Sequence, residues 1–280
     1  MSQTVIWINS PTNSIRNLEA LEIIPEPGKN EVLIKAHGVS LNYRGIAVST
    51  SLCPFPVKDN VVGENVKKLA AGDHVIGDPI DSILREYVYI PAVSVFQVPK
   101  ESPLILRVVY SCLHWGNCLE CIVWEHPPKP GQTVLLQGTG AVSTTALILA
   151  KAAGATVFIT SSSDEKLESV QKAWGVNYTI NYKTHPEWSK EALRLANSKG
   201  ADYILENGGS GTIGESLNAV KMGGNISVIG FLSQIAQSKM SDVASLTLAN
   251  GAVARGIVIG KHAGPTGSGS FCCPQGIGFP

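Results

Sequence analysis

The residues with the clearest chemical spacing are Gly138, Thr139, Gly140, Ala141, Val142 and Ser143, a Gly-x-Gly-x-x-Ser turn directly after the apolar run 133–137 and directly before a helix-like stretch. That context is what a dinucleotide phosphate turn requires. Gly138 can take the dihedrals of a tight turn, Gly140 lets the main chain approach a pyrophosphate with no Cβ in the way, and small Ser143 lets helix and strand pack closely. The N–H groups opening the helix then face the anion. The competing reading is a glycine-rich structural turn with no ligand.

A unit that binds NAD(H) usually carries an acidic residue at the end of its second strand, accepting from the ribose 2′-hydroxyl. Here that tip reads Thr160, Ser161, Ser162, Ser163, with Lys166 close behind. Hydroxyls and an ammonium donate to a 2′-phosphate that a carboxylate would repel, so NADP(H) is the favoured cofactor. Asp164 stands one residue further on and keeps NAD(H) open, and Lys166 alone could be a solvated helix face.

A second constellation is Cys118-x-x-Cys121 with Cys112 and His114 nearby. Zinc wants four converging ligands, and the adjacent Cys272 and Cys273 do not supply a second pair at ribbon spacing. Incidental reduced thiols are the simpler reading, and no metal is assigned.

The elements that must position these residues follow from periodicity. Strand-like runs at 133–137, 156–160, 178–181, 203–206 and 225–230 alternate with helix-like runs at 142–153, 164–174, 188–197 and 212–220, and a last strand at 256–260 would complete a six-stranded sheet. This rhythm predicts an α/β fold, a Rossmann-type doubly wound parallel sheet. Residues 1 to 107 instead read as a β-rich module, with short strands at 5–8, 31–37, 74–76 and 86–90 broken by Pro, Gly and Asn. The expected organisation is 1–107, a substrate-binding module; 108–260, a nucleotide-binding domain; and 261–280, a Gly/Pro-rich tail without fixed structure.

The 22 basic and 22 acidic side chains cancel. No run of Lys and Arg marks a nucleic-acid or anionic-membrane surface, so small molecules are the expected partners. Residues 1–5 lack a signal-peptide pattern and no apolar run approaches the roughly 20 residues of a membrane span, which points to the cytoplasm.

At residues 134–143, 150–155, 161–167 and 180–182 the sequence resembles the medium-chain dehydrogenase/reductase superfamily, and within it the zinc-free, quinone oxidoreductase-like branch. Residues 38–44, 63–68 and 71–73 resemble that family's GroES-like catalytic domain. Zinc-dependent members place a Cys ligand where this chain has Asn42, follow it with Gly-His-Glu, and hold a four-Cys lobe, none of which is present. The resemblance implies that Asn42 and Tyr43 hydrogen-bond substrate or nicotinamide, that Ser161, Ser162, Lys166 and Tyr182 surround the 2′-phosphate, and that Asn207, Gly230 and Phe231 lie along the nicotinamide half. Asn42 could equally be a turn residue, and Tyr182 and Phe231 core aromatics.

The activity so implied is zinc-independent hydride transfer from NADP(H) to a quinone-like or enone-like small molecule, with the protein positioning the acceptor. Three departures complicate it: a glycine-rich strand expected between Val62 and Gly63, a long connection after Ile80, and a return to the catalytic domain after Gly260 are all absent. A GroES-like domain so shortened would be loosened or would lean on a second copy in a homodimer. The alternative is a degenerate nucleotide-binding protein of the same family without turnover. A short-chain dehydrogenase is excluded because none of the seven tyrosines has a lysine four residues on.

Overall fold

A computed structural model describes residues 2–8, 17–23, 28–29, 31–36, 75–77, 87–92, 95–97 and 128–257. The chain divides into two compact units, one of residues 1–113 with 260–280, the other of residues 114–259.

Among the described residues, the first unit holds short antiparallel pairs. Strands β1 (Ser2–Ile8) and β2 (Asn17–Ile23) pair along their whole length, Ser2 opposite Ile23. Strand β3 (Glu31–Lys35) pairs with β5 (Tyr87–Pro91), and β4 (Val75–Gly77) with β6 (Val95–Gln97). Period-two alternation in β3 turns Val32 and Ile34 onto buried Val88 and Val95 and leaves Leu33 exposed. The β-rich reading of this region holds, although β2 and β6 carry no alternation strong enough to have been anticipated.

The second unit is the doubly wound sheet. In chain order it runs β7 (Thr133–Gln137), α1 (Ala141–Ala152), β8 (Thr156–Ser161), α2 (Asp164–Trp174), β9 (Tyr178–Asn181), α3 (Trp188–Leu195) and β10 (Ala201–Glu206). It continues through α4 (Ile213–Ala219), β11 (Val220–Val228), α5 (Val243–Asn250) and β12 (Val253–Gly256). All six strands are parallel, in the order β12-β11-β10-β7-β8-β9. The central strands are covered on both faces and so are apolar in unbroken runs: Val134 to Leu136, Val157 to Ile159, and Ile204 with Leu205 are essentially inaccessible.

The order of winding reverses between β7 and β10: the first half winds outward through β8 to β9, and the second returns to the opposite side of β7. Ligands of such sheets sit at the carboxyl ends of the strands flanking that reversal. Helix ends are locally encoded. The hydroxyl of Ser163 accepts from the Lys166 N–H at 3.3 Å, Asp164 and Glu165 occupy the positive first turn of α2, and Gly175 closes the helix in the left-handed region at φ 62°.

Several boundaries differ from those expected. Strand β8 extends through Ser161, one residue beyond the expected end. Helix α3 stops at Leu195 because Asn197 and Ser198 take φ of 52° and 61°, which breaks the helical ladder. Strand β11 starts at Val220 rather than 225 and ends at Val228, its register shifted where Gly223 takes φ 74°. The sixth strand is Val253–Gly256, not 256–260, and an unanticipated helix, α5, precedes it.

Candidate active site at the sheet reversal

The phosphate turn leaves β7 at Gln137. Gly138 adopts φ 78°, a left-handed conformation that glycine takes without penalty, and its N–H donates to the Thr160 carbonyl at 2.8 Å, tying the turn to β8. Gly140 stands at the start of α1 with φ −78° and ψ 177°. A Cβ built on either glycine would meet no atom within 4 Å, so both face open space. Helix α1 has no side-chain cap and no acid in its first turn, and its first intrahelical bond runs from the Thr144 N–H to the Gly140 carbonyl at 2.9 Å. Its positive end is therefore not neutralised by a side chain of its own, and an open glycine cradle in front of it fits a pyrophosphate.

Thr139, Ala141 and Val142 are half-buried along this turn. Ala141 is the first residue of α1 and is not among the residues with positive φ, so its methyl is accommodated without strain. Ser143 is buried, and its hydroxyl donates to the Gln137 carbonyl at 2.7 Å, fastening the helix to the strand it follows.

Across the reversal, Asn207 follows β10. Its Nδ2 donates to the Gln137 carbonyl at 2.8 Å and to the Ser143 hydroxyl at 3.1 Å, which brings Asn207 and the phosphate turn into one bonded group. Gly230, after β11, lies so close that a Cβ there would stand 2.2 Å from the Asn207 carbonyl oxygen. Phe231 is half-buried, its backbone against Gly209. The two loops are stitched by Leu232 N–H to Asn207 O at 3.2 Å and Ser233 N–H to Gly208 O at 2.7 Å.

Beneath these loops lies a group that sequence reasoning missed. The Glu206 carboxylate, fully inaccessible, accepts from the N–H groups of Gly208 (2.8 Å) and Gly209 (2.9 Å), from Nε2 of Gln137 (2.8 Å), and from the hydroxyls of Thr212 and Ser216. An acidic residue closing the apolar run Tyr203 to Leu205 was the available signal.

At the end of β8, Ser161 is buried, Ser162 half-buried and Lys166 exposed. Tyr182 is no core aromatic: it is 43% exposed, and its N–H donates to the Ser161 carbonyl at 3.0 Å. Asp164 accepts from Asn181 Nδ2 at 2.8 Å. The structure thus gathers the predicted residues into two groups, one at the sheet reversal and one at the tip of β8. Asn42, Tyr43, the Cys118-x-x-Cys121 pair with Cys112 and His114, and the Gly/Pro-rich tail lie outside the described residues. Among the described residues no three His, Cys, Asp or Glu side chains are grouped to hold a metal, and no helix is long and apolar enough to cross a membrane.

A zinc-binding dehydrogenase family model matches residues 141–267, which include α1 through β12 but not the position of Asn42. A zinc-type alcohol dehydrogenase-like protein of Schizosaccharomyces pombe is 32% identical over 284 residues, 87% of this chain and 80% of that protein. Acryloyl-coenzyme A reductase of Sulfurisphaera tokodaii is 27% identical over 74% of this chain and 71% of its own length. Among solved structures, Escherichia coli quinone oxidoreductase complexed with NADPH superposes with a TM-score of 0.76 at 18% identity, covering 91% of this chain and 81% of that one. The sheet order, the turn at its reversal and these likenesses together place the chain in the medium-chain dehydrogenase/reductase superfamily, as an oxidoreductase of the zinc-type alcohol dehydrogenase-like kind.

Proposed function

We propose that the chain binds NADP(H) in preference to NAD(H) and transfers hydride, without zinc, to a quinone-like or enone-like small molecule. The observation that carries the cofactor reading is the open cradle at Gly138 and Gly140 before an uncapped helix, set at the sheet reversal. The preference for the 2′-phosphate rests on half-buried Ser162 at the tip of β8, on exposed Lys166 and Tyr182, and on Asp164, whose carboxylate is already engaged by Asn181.

The residues from Gly138 to Ser143 would hold the pyrophosphate, with Ser143 acting through its bonds to Gln137 and Asn207. Ser161, Ser162, Lys166 and Tyr182 would surround the 2′-phosphate, and Asn207, Gly230 and Phe231 would line the nicotinamide half. The nicotinamide supplies the hydride when bound. The family resemblance assigns Asn42 and Tyr43 to hydrogen bonds with substrate or nicotinamide. An activated acceptor suits a site of this kind because it needs little acid–base assistance. Support comes from the acryloyl thioester named for one relative, an activated alkene, and from the quinone and NADPH named for a structural neighbour.

Calorimetric titration of the full chain with NADPH and NADH, beside Lys166→Ala, tests this. NADPH should bind more tightly, and Lys166→Ala should erase much of the difference. Equal affinity for both cofactors would overturn the NADP(H) assignment. The two internal departures, between Val62 and Gly63 and after Ile80, favour a second reading, a nucleotide-binding protein without turnover; NADPH bound but never oxidised across a panel of quinones and enones would select it.

A further inference from the structure

We infer that Glu206 is a positioning residue for the nicotinamide half of the site, acting with Gln137 to lock the 207–212 loop against the phosphate turn. The inference rests on the reading of this crevice as a dinucleotide site.

A carboxylate this deeply buried is costly unless every lone pair finds a donor. Glu206 has five, all neutral. One oxygen takes the Gly208 and Gly209 N–H groups and the Thr212 hydroxyl; the other takes Gln137 Nε2 and the Ser216 hydroxyl. Three of these partners lie in the loop that follows β10, so the carboxylate folds that loop back over its own strand.

Gln137 carries the constraint across the reversal. Its Oε1 accepts from the Asn207 N–H at 2.9 Å and the Gly208 N–H at 3.2 Å, which fixes the amide's orientation and leaves Nε2 to face Glu206 and, at 2.9 Å, the Ser216 hydroxyl oxygen. The Gln137 backbone carbonyl takes both Asn207 Nδ2 and the Ser143 hydroxyl. A continuous bonded path therefore runs from Glu206 through Gln137 to Asn207 and the first turn of α1. An apolar side chain at 206 could fill the space, but it could not set the height of the loop at Asn207.

Glu206→Gln keeps the shape and places an NH₂ among donors. Turned toward Gly208 and Gly209, that NH₂ opposes two backbone N–H groups; turned the other way, it opposes Gln137 Nε2 and drives that amide to flip, withdrawing Oε1 from Asn207 and Gly208. Either outcome shifts the nicotinamide side. The pyrophosphate side keeps its independent anchor, the Gly138 N–H on the Thr160 carbonyl.

The test compares NADPH with 2′-phospho-ADP-ribose, the same ligand lacking nicotinamide, by calorimetry on the full chain, with thermal melting alongside. In Glu206→Gln the affinity for NADPH should fall on the order of tenfold or more, the scale of losing buried hydrogen bonds, while that for the fragment changes by less than about twofold. Equal weakening of both ligands, or of neither, would overturn the inference and leave Glu206 a purely structural residue. Should that variant not fold, Thr212→Val carries the test: a smaller loss confined to NADPH, reversed in Thr212→Ser, supports positioning, and an unchanged ratio refutes it. A wild-type chain that binds neither ligand would overturn the cofactor reading itself, and the inference with it.

Discussion

Substituting Gly140 by alanine separates the cradle's role in folding from its role in binding. At φ −78° and ψ 177° the backbone is open to any L-residue, and the added Cβ meets nothing within 4 Å, so no clash arises in the folded chain. Two small terms oppose one another: alanine reduces the entropy of the unfolded chain, worth about 0.4–1 kcal/mol, and is a poorer residue than glycine at a helix N-cap by a similar amount. They cancel to within about 0.5 kcal/mol, a shift in melting temperature of about 2 °C or less for a chain of this size. Binding is another matter. The methyl would stand between the main chain and the pyrophosphate; displacing one charge-assisted hydrogen bond costs about 1.5–3 kcal/mol, hence a loss of roughly 10- to 150-fold in NADPH affinity. Circular dichroism melts and NADPH calorimetry on the same preparation read both quantities. A Gly140→Ala chain that melts like wild type and binds NADPH within about threefold of it would refute the assignment of the turn.

Gly230→Ala should behave in the opposite way, lowering the urea midpoint by the equivalent of roughly 1–3 kcal/mol, because its Cβ would stand 2.2 Å from the Asn207 carbonyl oxygen and backbone must move; an unchanged midpoint would show that the two loops have slack. Asn181→Ala frees the Asp164 carboxylate at the tip of β8, and losing that exposed hydrogen bond, worth about 0.5–1 kcal/mol, should cut NADPH preference over NADH about two- to fivefold, as read by paired titrations. Asp242 caps α5: the Ser245 N–H and then its hydroxyl donate to the carboxylate and hold it below the usual aspartate range. A depressed folded value means the cap's contribution is complete above about pH 3.9 and fades as pH falls through that folded value. Hydrogen exchange of the α5 amides should report this fading, and Asp242→Ala should abolish it.

The parts of the fold that could be read in advance are those where one local signal dominates. Strands β7 and β9 have the expected bounds because unbroken apolar or β-branched runs end at glycine or polar turns, and α2 has both caps written in Ser163 and Gly175. Helix α5 escaped notice although Asp242 and Gly251 bracket it, since residues 243–250 show no polar face to set a period. The early start of β11 was hidden in Lys221, Met222, Gly223 and Gly224, a stretch that reads as a turn and pairs with β10 at Ala201 only through a register shift. Of the candidate site, the glycine cradle was legible because glycine's backbone freedom is a property of one residue. The Gln137–Glu206 group was not: its partners lie 69 residues apart, and only the pairing of β7 beside β10 brings them to hydrogen-bonding distance.

Helix α4 passes into β11 with no intervening residue, Ala219 ending one and Val220 beginning the other. A junction of zero length puts the bend between helix and sheet inside the strand itself, at Gly223, where φ is 74° and the register with β10 shifts. Any displacement of the 207–212 loop at the head of α4 reaches the end of β11 that leads to Gly230 only by way of that glycine, so the wall of the crevice opposite the Gly138–Gly140 turn has its own point of give at the far end of the sheet.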